Sequence, residues 1–563
     1  MKSNLKCNMA SIATLLLLAV FLSIGLQIAT AAENVMTMRV SMWEDFGLDP
    51  TVSDTLFPGE GGITYPHHFT HQSPLITLDG EGKIIPWMTE SYEVSDDYKT
   101  ITFHLRKGIK FADGTPLNAS ILKFNFDRII TYGWADQYGT KGTSAKLNPF
   151  IYYDNSEAPD KYTFKIHFVR GWLDVARELA SSVIYSNFIS PFDVKPAWDI
   201  KGILKLDKKY NGLGPYYVDE NETIPKEKTV LKKRHCWRDD LNFHKTALDK
   251  IVEVVIPDSN NCVLAMEKCV IDYTSSSGMT QESLLTLQNN PKMQIETRTG
   301  TGLRYILTAY WKEPFNSTDG ILLRKAICYA LNRSEIAKGA SYGYAVPATK
   351  SMALSPLYPD IPECCQKGYD YDLEKAKQLL AEAGWKDSDG DGILDKNGRS
   401  LKNLDFILTS YAPYVWTKDT ATIVQSQLKN VGIGVKFRTL EWGAYKKATK
   451  DGDFDLRMGF GDPISTAPIE QMAMFDLRAP DRKNAYSNQN RTLEKYVENA
   501  RTATSIVERD QNLCRACDIL YDEAGIIPLV YPMEFAVVSS KVKGFEFGAS
   551  LKLDHIEECW IGE

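Results

Sequence analysis

Short runs of alternating apolar and polar residues recur along the chain and predict strands. Residues 100–106 (TITFHLR) and 162–168 (YTFKIHF) alternate in this way, which is the period of a half-buried strand. Residues 371–385 instead carry apolar side chains at helical spacing, and Gly384 near their end is a residue that commonly stops helices. Further stretches of both kinds are mixed along the sequence, which predicts an α/β protein.

The first 32 residues follow a different pattern. Lys2 and Lys6 precede an almost wholly apolar run over residues 12–28, and the small residues of 29–32 follow it. This order is typical of an export signal, and the run is also long enough to be an uncleaved membrane anchor. We therefore expect residues 1–32 to be a signal peptide or an N-terminal anchor. The rest of the protein is then periplasmic or extracellular.

Composition narrows the class of protein. Hydrophobic residues make up 44% of the 563 positions and charged residues 24%, as in a folded globular chain. The net charge of −7 and the absence of a basic tract argue against a nucleic-acid partner. The sequence also contains no Gly-x-Ser-x-Gly, His-Glu-x-x-His or phosphate-loop motif, so we expect that the protein is not an enzyme.

A family resemblance is strongest over residues 85–119. Four short segments follow one another there: PW at 86–87, SDD at 95–97, FHLR at 103–106 and GIKFADGTPLNA at 108–119. Their order resembles the signature of family 5 solute-binding proteins, the extracytoplasmic receptors of ABC importers for peptides, dipeptides and nickel complexes. Weaker similarities extend the resemblance over roughly residues 36–550.

The resemblance implies a fold and a domain order. The expected fold is α/β, with the two lobes of a type II periplasmic-binding protein of the large peptide-binding type and an extra subdomain in the first lobe. Lobe I is expected over residues 33–285, with the subdomain at about 75–195. Lobe II is expected over 286–525, and residues 526–563 are expected to return to lobe I.

The resemblance also implies a function. We expect a monomeric receptor that binds a short peptide by hinge closure, requires no cofactor, and delivers the peptide to the permease and ATPase subunits of an ABC importer. A receptor for nickel or a nickel chelate is the alternative, with Ni²⁺ as the transported ligand. A chemosensory or surface scaffold protein on the same fold is a third interpretation, because a fold does not determine a function.

Five residues are assigned to the ligand cleft by the resemblance: Tyr65, Arg304, Tyr305, Phe460 and Asp462. Peptide-binding relatives carry an aromatic and an acidic residue in the loop that matches residues 456–463, and the carboxylate pairs with the amino terminus of the peptide. Phe460 and Asp462 are the candidates here. Asp462 also matches a structural aspartate-proline step of the family, so both interpretations stand.

Three histidines form a candidate metal site. His67, His68 and His71 fall within five residues. His67 and His71 are four residues apart, so on a helix they would share one face and could bind one metal ion. This spacing suits nickel or a nickel chelate. The alternative is that these are solvated or hydrogen-bonded helix histidines.

An aspartate-rich loop resembles the front of a calcium loop. Asp387, Asp389 and Asp391 are two residues apart, glycine follows at the sixth position, and Asp395 is at the ninth. The glutamate expected at the twelfth position is replaced by Gly398. The sequence therefore predicts either a shortened site for a structural Ca²⁺ or a solvated Asp-Gly turn.

Ten cysteines are present, and their spacing fits no zinc framework. Cys514 and Cys517 form a single Cys-x-x-Cys pair in a helical stretch, with no second pair to complete a metal site. We expect an ordinary buried thiol pair there. Disulfides can form outside the cell, but their connectivity is not readable from the sequence.

Overall fold

The computed structural model describes residues 34–40, 73–78, 83–132, 152–181, 188, 212–234, 246–275, 279–300, 302–350, 361–410, 416–461, 491–546 and 556–562. Strands and helices alternate through these ranges. None of the helices in them is long and apolar enough to cross a membrane.

The strands of the described residues are numbered in chain order: β1 (Val35–Val40), β2 (Ile76–Leu78), β3 (Ile84–Pro86), β4 (Thr89–Val94), β5 (Thr100–Leu105), β6 (Tyr153–Glu157), β7 (Thr163–Phe168), β8 (Tyr216–Val218), β9 (Lys228–Lys233), β10 (Lys250–Val255), β11 (Tyr273–Ser275), β12 (Met293–Thr299), β13 (Leu303–Thr308), β14 (Ala345–Pro347), β15 (Asp395–Lys396), β16 (Arg399–Ser400), β17 (Leu404–Thr409), β18 (Val435–Leu440), β19 (Leu456–Gly461), β20 (Ile527–Ser539), β21 (Val542–Lys543) and β22 (Trp560–Ile561).

The α-helices of the same residues are α1 (Ala119–Tyr132), α2 (Val175–Ser181), α3 (Ser259–Glu267), α4 (Gln281–Leu287), α5 (Thr318–Ala330), α6 (Arg333–Ser341), α7 (Leu373–Glu382), α8 (Trp416–Lys429), α9 (Trp442–Asp451), α10 (Arg491–Arg501) and α11 (Ile506–Glu523). Two short 3₁₀ helices cover Glu363–Gln366 and Ile556–Glu558.

One long strand, β20, is shared by two sheets. Its first half pairs with β13 and β14, and its second half pairs with β11 and β12. The strand order continues as β13-β19-β17-β18 on one side and as β11-β1-β10-β9-β8 on the other. The chain therefore forms two α/β lobes that are joined through a common strand.

The chain passes from one lobe to the other in two segments that lie side by side, and these segments are called the crossings. The pairing of β12 with β20 ends at Thr299 and Met533. The pairing of β13 with β20 begins at Arg304 and Val530. Between them the Gly300 amide donates a hydrogen bond of 2.9 Å to the Pro532 carbonyl. A Cβ on Gly300 would lie 2.6 Å from that oxygen, so the close approach of the two segments requires glycine.

The lobe and subdomain boundaries predicted from the sequence stay predictions. Because β12 pairs with the same half of β20 as β11, we propose that the two crossings fall at residues 299–303 and 531–533. These positions lie later in the chain than the predicted boundaries at 285 and 525. Two adjacent segments of extended chain are the arrangement in which a hinge can bend with few broken contacts.

The subdomain of lobe I has its own sheet and core. The strands predicted from alternation at 100–106 and 162–168 are β5 and β7, and they pair antiparallel in the order β4-β5-β7-β6. Their inward residues pack on α1, with the rings of Phe126 and Phe164 5.1 Å apart. Both strand predictions are confirmed, because a local period of two is sufficient to define a half-buried strand.

The helix predicted at residues 371–385 is present in lobe II as α7. Helix α7 begins after Asp372, whose carboxylate accepts a hydrogen bond from the Lys375 amide as an N-cap. The helix ends before Gly384, which has a φ of +81°. This left-handed conformation is readily available to glycine, which explains the helix end at this position.

Two disulfides replace the expected thiol pair. Cys514 and Cys517 lie one turn apart on α11, and they bond to the adjacent residues Cys364 and Cys365. The expectation of a buried thiol pair was therefore wrong. The partners are 150 and 152 residues apart in sequence, so no local pattern could reveal them.

Candidate ligand-binding site

The candidate site lies where the lobe II sheet meets the crossings. Strand β13 begins directly after the first crossing, and its Leu303 is opposite Gly461 at the end of β19. Strands β17, β18 and β19 run parallel, so their carboxyl ends meet at one edge of the sheet. Ligands of open α/β sheets bind outside this edge.

Arg304 and Phe460, which the sequence assigns separately to the ligand cleft, lie side by side in the structure, and their role in binding stays a prediction. They are direct partners across β13 and β19, so their side chains share one face of the sheet. The Arg304 guanidinium donates a hydrogen bond of 3.0 Å to the Ser341 hydroxyl. It also lies 4.1 Å from the centre of the Trp416 ring. Stacking and hydrogen bonding thus fix a positive charge at this end of the sheet.

A row of aromatic rings continues from this arginine. The Trp416 ring meets the Phe460 ring edge-on at 6.1 Å, and Phe460 stacks on Trp442 at 6.0 Å. Trp442 in turn stacks on Tyr445 at 5.7 Å. The first three of these residues are half-buried, so they offer apolar surface to a ligand as well as to the core.

The two tryptophans were not among the residues predicted for the site. Trp416 and Trp442 are the first residues of α8 and α9, the helices that follow β17 and β18. An aromatic residue at the first position of a helix that directly follows a strand of the parallel sheet is therefore the signal that could have identified them. Tyr445 closes the row by donating a hydrogen bond to the Met458 carbonyl, and burial raises the pKa of its hydroxyl.

Tyr305 is not one of the stacked rings, but it lies near the Tyr445 end of the row, because the Arg457 side chain contacts both tyrosines. Neighbouring residues of a strand point to opposite faces, so Tyr305 is on the face opposite Arg304. Its ring crosses the Cα of Gly459, where a Cβ would come within 2.3 Å of a ring carbon. Its hydroxyl accepts a hydrogen bond of 3.4 Å from Arg457. The structure therefore separates two adjacent residues that were both assigned to the cleft.

Several predicted site residues lie outside the described part of the chain: Tyr65, His67, His68, His71 and Asp462. Their assignments stay predictions, and the proposals below treat them as such.

The aspartate-rich loop brings three of its four candidates together. Asp387, Asp389 and Asp395 each place one carboxylate oxygen within 4.8 Å of the others, and oxygen donors are the ligands that Ca²⁺ prefers. Asp391 instead binds Lys402 at 2.7 Å, and this contact holds the pKa of its carboxyl below the usual range. The donor set fits a calcium ion in part, and the calcium site stays a prediction.

Comparison with known proteins identifies the family. The sequence model of bacterial extracellular solute-binding proteins, family 5 Middle, matches residues 83–481. The oligopeptide-binding protein AppA of Bacillus subtilis is 24% identical over 523 residues, which cover 92% of this chain and 90% of the relative. The nickel-binding periplasmic protein of Escherichia coli is 27% identical over 423 residues, which cover 72% and 74% of the two chains.

Solved structures show the same fold. NikA from Brucella suis in complex with Fe(III)-EDTA superimposes with a TM-score of 0.78 at 22% identity, over 94% of this chain and 99% of that one. AppA from Bacillus subtilis in complex with a nonapeptide gives a TM-score of 0.68 at 21% identity, again over 94% and 99%. The predicted two-lobe α/β fold is therefore confirmed, and the relatives are binding proteins rather than enzymes. This chain belongs to the bacterial extracellular solute-binding proteins of family 5.

Proposed function

We propose that this protein is the receptor of an ABC importer and that it binds a short peptide between its lobes. The observation that carries the proposal is the row of half-buried aromatic rings, with Arg304 fixed at one end, beside the paired crossings. Family membership supports the receptor role, and the oligopeptide-binding relative supports the ligand class. The partners are then the permease and ATPase subunits, with the receptor acting as an exported monomer.

The mechanism is hinge closure without covalent chemistry. A ligand that contacts both lobes binds the closed form better than the open form, and it shifts the equilibrium by that difference in affinity. Aromatic planes bind side chains of varied shape, because stacking and apolar contact tolerate many partners. Arg304 is only 8% exposed, so its fixed positive charge acts through the electric field beside the rings, which favours a carbonyl or carboxylate of the ligand.

Asp462 and Phe460 are proposed to bind the amino-terminal end of the peptide. The Asp462→Asn variant should weaken peptides with a free amino terminus far more than acetylated peptides, because only the free amine carries a charge. Asp451→Asn is the matched control, since its carboxylate binds Lys447 on the surface of α9. Equal losses for free and acetylated peptides would argue against the ion pair.

A nickel or nickel-chelate receptor is the second candidate. It is favoured by the spacing of His67, His68 and His71 and by the nickel-binding relative. The double variant His67→Ala/His71→Ala should abolish metal-dependent binding and leave the fold intact. His104→Ala, a change at a partly exposed histidine of the subdomain, is the control. Unchanged nickel affinity in the double variant would exclude this site.

The experiment that decides between these ligands is native mass spectrometry of the exported protein, purified from its own cells without added metal. A ladder of peptide masses is the expected result. A single adduct that contains nickel would support the second candidate and refute the peptide proposal. Binding of neither class, together with a gene that lies away from permease and ATPase genes, would favour the chemosensory or scaffold interpretation.

A further inference from the structure

A buried ion pair joins the subdomain of lobe I to lobe II. Asp174 directly precedes α2 of the subdomain, and Arg509 lies on α11 of lobe II. Their side chains meet at 3.1 Å, and only 9% and 6% of their surfaces are exposed. This contact is separate from the two strand crossings.

A second polar contact lies between the same two units. Glu498 on α10 accepts hydrogen bonds from the Tyr152 hydroxyl at 2.7 Å and from Arg170 at 3.1 Å. Beside it, the backbone of Gly171 lies close to Thr504. A Cβ atom placed on the glycine would be 3.2 Å from the methyl carbon of the threonine. Residues 152 and 170–174 of the subdomain therefore form one continuous interface with residues 498–509 of lobe II.

The interface connects two separate hydrophobic cores. Tyr152 and Trp172 belong to the core of the subdomain, whereas Val497 and Leu513 belong to the core of lobe II. A rotation about the crossings at 299–303 and 531–533 moves one of these cores relative to the other. Such a rotation would stretch the polar contacts between them, and a buried ion pair tolerates little change in distance.

We propose that Asp174–Arg509 and the contacts of Glu498 form a latch, which closes when the lobes close on a ligand and opens when they separate. This inference rests on the proposed hinge-closure function and adds the subdomain to its moving parts. The latch is suited to reversible use. The second oxygen of Asp174 is buried without a hydrogen-bond partner, so closure leaves part of its desolvation cost uncompensated. In the open form, water can solvate both charges.

The test measures the distance across the latch. Spin labels are attached through orthogonal side chains at the exposed positions Asp154 in the subdomain and Lys495 on α10. Distance distributions are recorded for the full exported protein, first stripped of ligand and then with a mixed tetrapeptide pool. We expect the pool to shift the distribution towards the short distance.

The variants remove one side of the latch. Arg509→Met should shift the ligand-free protein towards the long distance and weaken apparent binding of the pool on the order of tenfold, because Asp174 is left buried and unpaired in the closed form. Arg170→Met changes an exposed side chain, so it should fold normally and act in the same direction with a smaller effect. The control Lys123→Met removes a half-buried ion pair on α1, within the subdomain and away from the interface, and should change neither distance nor binding.

Two results separate the latch from the binding function. A short distance in every state, including the ligand-free Arg509→Met and Arg170→Met variants, would overturn the latch, because the subdomain and lobe II would then move as one body. Failure of the pool to bind any form would instead count against the peptide proposal. The ligand-free distances of the wild type and the variants would still decide the latch.

Discussion

The two disulfides of lobe II close nearly the same loop, so their contributions to stability should not be additive. Cys364 bonds to Cys514 and Cys365 bonds to Cys517, across 150 and 152 residues of chain. The perturbation is to replace both cysteines of one bridge by serine, then those of the other bridge, then all four.

The magnitude follows from the entropy of the unfolded chain. In the chain-entropy model, closing a loop of this length restricts the unfolded state by about 5 kcal/mol at 25 °C. Once one bridge is present, the second closes a ring of only a few residues, because Cys364 and Cys365 are adjacent and Cys514 and Cys517 are three apart. The same relation then gives about 2 kcal/mol. Each single removal should therefore cost about 2 kcal/mol, and the removal of both about 7 kcal/mol.

The assay is urea unfolding of the oxidised, exported protein, with free energies obtained by linear extrapolation. Cys269→Ser, a change at a half-buried free thiol, reports the effect of serine itself. A combined cost equal to the sum of the two single costs would refute the reasoning. So would a single removal that costs as much as the removal of both.

Three further predictions concern other parts of the molecule. Burial raises the pKa of Asp272 to about 6, above its value in the unfolded chain, so stability should fall by up to about 3 kcal/mol as the pH rises from 4 to 7. Asp272→Asn should remove this dependence in urea titrations, and an unaltered pH profile would contradict it. Gly459→Ala should destabilise lobe II by about 1–3 kcal/mol in thermal or urea unfolding by displacing the Tyr305 ring, and a neutral effect would show that the ring moves freely. Millimolar Ca²⁺ should raise the melting temperature, and Asp387→Asn should abolish this shift; a shift that persists in that variant would place the ion elsewhere.

Local patterns were sufficient for the regular elements. Strands β5 and β7 and helix α7 were predicted correctly, because each is defined by a period that a few neighbouring residues carry. The disulfides were missed because they depend on the packing of a 3₁₀ helix against α11, which no neighbouring residue indicates.

The site was predictable only in part. The family resemblance named Arg304 and Phe460 as cleft residues, and this assignment stays a prediction. Trp416 and Trp442 join them from helices whose placement depends on the sheet order. The opposite orientation of Tyr305 follows from strand alternation and could have been inferred from the sequence. The pairing of Asp391 with Lys402 could not have been inferred from the sequence, because it depends on how β15 and β16 fold back beside the loop.

The shared strand β20 has a consequence for the order of events during synthesis. It lies in the interior of both sheets, yet it ends only at Ser539 of 563 residues. Neither lobe can complete its sheet until almost the whole chain has left the ribosome, because β11, β12, β13 and β14 all await the same partner. If the chain is exported unfolded, as the proposed function allows, a topology that postpones both lobes to the last strand would keep the polypeptide competent for translocation until it folds on the far side.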